Sequence, residues 1–229
     1  MGWLDSGRPA QLRQRCTELL RPRKDIETQK SDEQPINSPL FKTLIDYVQT
    51  AGRCSVLDLG PAFGSNVTFF GELRCKLQIA DCAAALLELN AREEIGPEVY
   101  ARELQRLLPL AGKHPFDVIL TWDLLNYLHK PLYTALMTHL SPCVSGDTWL
   151  HAYISSRRDM AASPQQYRPN HEGRVVLMDA SAATQPSPCY PQQTLRTLMP
   201  RFDVSRATLL QNGMQEYLFK GQGRGHRQT

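Results

Sequence analysis

The chain has no C-x-x-C pair, no Cys/His set with zinc-ligand spacing and no apolar run approaching the length of a membrane span. Its six cysteines (Cys16, Cys54, Cys75, Cys82, Cys143, Cys189) therefore read as reduced, mostly buried thiols of a cytoplasmic protein, and no metal site is expected. The opening MGWLDSGRPAQLRQRC lacks the apolar centre of a secretory signal, so a soluble protein without a membrane partner is expected. Met1, Gly2 and Ser6 match the loose acylation pattern M-G-x-x-x-[ST], which is short enough to arise by chance. An excess of one charge is also lacking. The 26 Lys and Arg against 23 Asp and Glu leave a formal net charge of +3, which predicts no nucleic-acid partner. Basic clusters stand at Arg21, Arg23 and Lys24 and at Lys220, Arg224, His226 and Arg227. They read as solvated chain ends, with contact to RNA or an acidic partner as the alternative.

What the chain does have is apolar material, 41% of 229 residues, enough for one large domain with extensions. Residues 1–37 are polar and charged, with one short helical candidate at 10–20, and read as an arm or lid; 221–229 read as a flexible basic tail. The domain spans 38–220. Ser38 is placed to cap a helix with Pro39 in its first position and Leu40, Phe41, Leu44, Ile45 and Val48 on one face, stopping at Gly52. Strand candidates at 54–59, 76–81, 116–122 and 147–155, with a weaker one near 98–101, then alternate with helices at 65–73, 83–91 and 124–140. Pro131 should divide the last helix in two. Residues 156–191 are polar and rich in Pro and Ser; they read as an insertion, with RVVLMD (174–179) as an extra strand. After a helix at 192–199, FDVSRATLL (202–210) and MQEYLFK (214–220) flank Gln211-Asn212-Gly213, a strong hairpin signal. The predicted fold is α/β: a doubly wound, Rossmann-like, seven-stranded and mostly parallel sheet with a C-terminal antiparallel hairpin and helices on both faces.

In such a sheet ligands bind at the carboxyl ends of the strands, near the point where strand order reverses. VLDLGPAFG (56–64) ends the first strand there. Gly60 lets backbone approach a ligand closely, Gly64 permits tight passage into the next helix, and Ser65 or Asn66 could cap that helix. Asp58 offers an acceptor to a ligand ammonium or amide. Asp81, 21 residues beyond Gly60, ends the second strand where a carboxylate can accept both hydroxyls of a ribose. Each feature alone also suits an ordinary strand end, but together they point to a ribose-bearing ligand. The turn is G-x-x-x-G, not the G-x-G-x-x-G of a dinucleotide site, and it lacks the Gly-Lys-Ser/Thr of a phosphate loop.

The residues resemble the class I S-adenosylmethionine-dependent methyltransferases. VLDLGPAFG is similar to that family's first motif, LQIAD to its second, FDVILTWDLLNYL to its fourth strand and following helix, and the closing helix and hairpin to its final antiparallel pair. The resemblance covers residues 38–220. It implies a methyltransferase of the EC 2.1.1 class with S-adenosylmethionine as cofactor and S-adenosylhomocysteine as product. It implies further that Asp58, Gly60, Pro61, Ala62 and Gly64 surround the cofactor's methionine part and that Asp81 holds the ribose hydroxyls. The backbone near Leu104 and Gln105 would border the adenine, with Trp122 and Asp123 beside the reacting centre. Two departures stand out: Ala62 occupies the family's usual middle glycine, and Glu103 falls one place from the acidic adenine contact.

Methyl transfer from a sulfonium is an in-line displacement that needs a positioned nucleophile and a base only when a proton must leave. Asp123, Tyr127, His129 and His151 are candidates near strand ends, each with packing as the alternative role, and none is assigned as the base. Thr121-Trp122-Asp123-Leu124 stands where amino-methylating enzymes of DNA or glutamine carry N-P-P-Y or D-P-P-Y, so the expected acceptor is a small molecule or a protein side chain. Pro142-Cys143 and Pro188-Cys189 are in the wrong place for cytosine methylation. The insertion 156–191 should cover the acceptor side, with Arg157, Arg158, Tyr167, Arg168 and His171 facing either an anionic acceptor or solvent. Two further readings compete: a degenerate methyltransferase fold serving as a cofactor-sensing or protein-interaction module, and a nucleotide-binding oxidoreductase, against which the missing third glycine counts.

Overall fold

The structure, a computed structural model, describes residues 34–92, 95–112, 114–170, 172–178 and 183–223. The helix expected at 10–20, Cys16, the basic residues at 21–24 and 224–227, and His171 lie outside these.

The two central strands, β2 (Ser55–Asp58) and β4 (Val118–Trp122), are short apolar runs buried on both faces, as parallel strands between helical layers must be. Flanking them are β3 (Lys76–Ile79) and β5 (Trp149–Ser155); β2, β3, β4 and β5 pair in parallel. β11 (Met214–Gly221) adds antiparallel to β5, and β10 (Phe202–Leu209) to β11. The order β10-β11-β5-β4-β2-β3 therefore reverses between β2 and β4. Alternating side chains build two cores. Leu57, Leu59 and Ile119 pack with α3 (Ala83–Asn90), α4 (Pro97–Leu107), α5 (Lys130–Leu140) and α6 (Gln192–Leu198). Val56, Val118 and Leu120 pack on the other face with α1 (Pro39–Thr50) and α2 (Gly64–Glu72).

Three sequence expectations need correction. The main sheet has six strands, not seven, because 98–101 lies within α4. Pro97 starts this helix after Gly96, and Tyr100 and Leu104 are buried at helical spacing, a longer-range pattern than the four-residue run that suggested a strand. The insertion holds more strands than the one expected. It contains β6 (Asp159–Ala161), β7 (Gln166–Pro169) and β9 (Thr184–Pro186) besides the expected β8 (Arg174–Met178). Gln34–Asn37, read as part of the arm, is strand β1; it pairs with β8, which pairs with β7, while β6 and β9 form a two-stranded ribbon. β1, β6, β7 and β9 are too short and polar to signal themselves locally, and their pairing partners define them. As expected, 124–140 is divided: a 3₁₀ turn at Leu124–Tyr127 precedes α5, where Pro131 sits in the first turn and sacrifices no hydrogen bond.

All five described cysteines are free, and burial pushes the thiols of Cys54 and Cys82 up to about 12 and about 11. Among the described residues no helix is long and apolar enough to cross a membrane, and no cluster of His, Cys, Asp or Glu could hold a metal ion.

Candidate functional site

Asp58 ends β2 at the strand-order reversal, and its side chain is wholly buried. One carboxylate oxygen, Oδ1, accepts from the Gly60 N–H (2.8 Å) and from the Trp122 indole N–H (2.7 Å). The other, Oδ2, is buried without a hydrogen-bond partner. Burial raises the Asp58 carboxyl from 3.8 to about 6, against the opposing pull of Gly60, Trp122 and the nearby Asn66 amide. One N–H of the Asn66 side-chain amide donates to the Tyr167 carbonyl at 3.3 Å.

Trp122 ends β4 where the register with β5 shifts, and its φ of +49° lies in the left-handed region that a bulky residue rarely enters. This backbone turns the indole over the glycine turn. A Cβ on Gly60 would stand 2.8 Å from Trp122 Cδ1, so the close approach that requires glycine here is made by the protein's own tryptophan. Gly64 faces open space, Ala62 is exposed and Pro61 half-buried. The helix behind the turn already begins at Gly64, with Phe63 in the cap position; neither Ser65 nor Asn66 caps it, since both lie inside its first turn.

Asp81 is exposed beyond β3 with φ +44°, a conformation that aspartate tolerates. Leu104 and Gln105 fall in the last turn of α4, Leu104 in the core and Gln105 outward.

Asp123 follows Trp122 and is also buried. Its oxygens accept from the Gln165 backbone N–H (3.0 and 3.3 Å) and from the Tyr167 hydroxyl, and burial raises its carboxyl from 3.8 to about 7. Tyr167 stacks on Trp122, ring centroids 5.4 Å apart and planes within 10°. Tyr127 is buried and donates to the Ser163 carbonyl at 2.7 Å. Together with the insertion these residues enclose a cavity of about 290 Å³. Of the insertion residues expected at an acceptor, exposed Arg157 and buried Tyr167 line this cavity.

The two histidine candidates have structural partners. His129 caps α5 through Nδ1, which accepts from the Leu132 N–H at 3.1 Å, and its Nε2 meets the Tyr100 hydroxyl at 3.2 Å. His151, wholly buried, binds Glu216 Oε1 through Nε2 at 2.9 Å. Glu216 escaped the sequence reading. Its carboxylate also accepts from the Ser38 hydroxyl and from the N–H groups of Leu40 and Phe41, so it caps α1 in place of Ser38, whose hydroxyl turns to Glu216 and Tyr153. Burial alone would raise the Glu216 carboxyl, yet His151, Ser38 and the helix N–H groups hold it below its ordinary value. One signal was available: Glu216 shares the inward parity of Leu218 in β11.

No protein-family profile matches the chain, and no curated protein does. Among solved structures it is similar to a Burkholderia thailandensis 1,6-didemethyltoxoflavin-N1-methyltransferase with bound 1,6-didemethyltoxoflavin and S-adenosylhomocysteine. The identity is 14%, over 96% of this chain and 93% of that one, with a TM-score of 0.46. A glycopeptide N-methyltransferase complexed with S-adenosylmethionine matches at 14% identity over 79% of this chain and 93% of that one, TM-score 0.42. The strand order itself decides the architecture: a mostly parallel doubly wound sheet, reversed at Asp58 and closed by an antiparallel C-terminal hairpin. The chain has a doubly wound, Rossmann-like α/β fold.

Proposed function

We propose that the chain is an S-adenosylmethionine-dependent methyltransferase acting on a small-molecule or protein-side-chain acceptor. The observation that carries this reading is Asp58 Oδ2. A buried carboxylate oxygen without a partner is costly, and it lies at the reversal point of the sheet, where this fold places ligands. A ligand ammonium group would satisfy it. The residues present therefore fit the cofactor: Asp58 holds the ammonium, exposed Asp81 accepts the ribose hydroxyls, and the open side of Gly64 with small Ala62 leaves room along the turn. When bound, the cofactor supplies an electrophilic methyl group on sulfur. The chain's own contribution is positional. The Trp122 N–H fixes Asp58 Oδ1 and so selects Oδ2 as the free acceptor, while the insertion brings the Gln165 N–H onto Asp123.

One observation favours the alternative, a degenerate fold acting as a cofactor-sensing or protein-interaction module: the Trp122 indole occupies the space beside Gly60. Calorimetry with S-adenosylmethionine, S-adenosylhomocysteine and NAD separates the readings. Binding of the first two, and not of NAD, is expected. No heat from either at millimolar ligand would sink the methyltransferase reading, and heat from NAD alone would favour an oxidoreductase.

A further inference from the structure

The cavity lined by the insertion keeps its unused hydrogen-bond donors at an exposed rim. On its buried side they are spent: the Tyr127 hydroxyl on the Ser163 carbonyl, and the Asn126 amide on the carbonyls of Asp123 (2.8 Å) and Tyr153 (2.9 Å). The Asp123 side chain is sealed there too, its oxygens engaged by the Gln165 N–H and the Tyr167 hydroxyl. Arg157, Thr184 and Asn212 stand at the rim, all exposed. Among the described residues nothing accepts from the Arg157 guanidinium or the Thr184 hydroxyl. The Asn212 amide oxygen takes the Met214 N–H at 3.1 Å, which leaves its nitrogen free to donate. Arg157 is also seated. Its carbonyl accepts from the Ser155 hydroxyl (3.4 Å) and the Cys189 thiol (2.8 Å), and its side chain lies across Gly213, where a Cβ would overlap Nε. The apolar part of the lining is Ile36, Met160, Leu177 and Met214, and the volume of about 290 Å³ lies at the small end of ligand pockets. Asp159 reaches the same rim, but it is exposed and forms no ion pair with Arg157, so water and salt screen its charge.

The structure assigns to this cavity a compact carboxylate, its apolar body on Ile36, Met160, Leu177 and Met214 and its charged end on the guanidinium fork of Arg157. The Asn212 amide and the Thr184 hydroxyl stand on the same rim as further donors. A planar carboxylate matches the two parallel N–H groups that arginine offers, and the apolar lining favours a body without further charge. That this carboxylate is the methyl acceptor rests on the methyltransferase reading above; the binding itself does not.

The test uses benzoate as the probe and benzamide as its uncharged counterpart of the same shape, without cofactor, so that its outcome is separate from that of the calorimetry. Carbon-13 methyl signals of Met160 and Met214 report on the cavity, and those of Met137 and Met199, in the other core, report on folding. Benzoate should shift the first pair and bind about tenfold or more tightly than benzamide, a preference that shrinks as salt is raised. Arg157→Ala should remove the preference, and Arg157→Lys, a point charge without the fork, should keep only part of it. Arg157 is exposed, so both variants should leave the Met137 and Met199 signals in place. Equal binding of the two probes, no shift with either, or a preference that survives Arg157→Ala would overturn the proposal. Failure of the cofactor to bind would remove the acceptor role alone, and the probes would still decide the carboxylate site.

Discussion

Replacing Asp58 with Asn should make the protein more stable at alkaline pH and worse at holding its ligand. The carboxyl rises from 3.8 to about 6 on folding because burial penalises the charge. A group whose pKa is raised by folding stabilises the folded state fully below its unfolded pKa, and that stabilisation is lost as pH rises through the folded value. The loss amounts to about 3 kcal/mol over the whole window from 3.8 to 6, and about 1.4 kcal/mol of it falls between pH 5 and pH 8. Asparagine carries no such dependence. Urea unfolding of variant and wild type at both pH values, taken as a difference, cancels the titration of every other group. The difference should therefore move by about 1.4 kcal/mol in favour of the variant as pH rises from 5 to 8. In the same variant, S-adenosylhomocysteine should bind about 10- to 100-fold more weakly, because the charge-assisted bond to the ligand ammonium is lost. A difference that stays flat with pH would refute the burial argument. The expected slope with unchanged ligand affinity would refute the assignment of Oδ2 to the ammonium.

Gly60→Ala should destabilise the protein by about 1–3 kcal/mol, since its Cβ would meet Trp122 at 2.8 Å; a shifted urea midpoint with altered tryptophan fluorescence is the expected signature. Glu216→Ala should cost about 3–5 kcal/mol by stranding His151 and the helix N–H groups of Leu40 and Phe41, and an unchanged midpoint would contradict the buried network. Asp81→Asn keeps the left-handed turn and touches an exposed side chain. It should leave the urea midpoint in place while weakening S-adenosylhomocysteine about tenfold by calorimetry, and equal affinity would remove the ribose from this position.

The elements that the sequence disclosed are those whose signal is local. β2 and β4 are continuous apolar runs, the hairpin turn carries Asn-Gly, and Pro39 and Pro131 mark helix starts. The missed strand at 34–37 and the missed cap share one physical cause, partners far away in the chain. Gln34–Asn37 becomes a strand only because Arg174–Met178 lies alongside it, and Glu216 becomes a helix cap only because β11 passes the start of α1. For the site, Asp58 and Gly60 were legible as a pair. The occupant of the space beside Gly60 was not, because Trp122 stands 62 residues further along and reaches the turn through a bulged strand end.

That tryptophan joins two halves of the proposed site. Its N–H fixes one oxygen of Asp58, and its ring stacks on Tyr167, whose hydroxyl meets Asp123. The two buried carboxylates are thus connected through a single stacked pair, one carboxylate with an orphan oxygen and the other on the wall of the cavity. A side chain placed for packing alone would not need a left-handed backbone at Trp122 or a register shift in β4, both of which carry an energetic cost. The arrangement accounts for that cost if the stack forms one wall of the site for the ligand held at Asp58. The degenerate-fold reading leaves the same strain, and two buried carboxylates with it, without a compensating role.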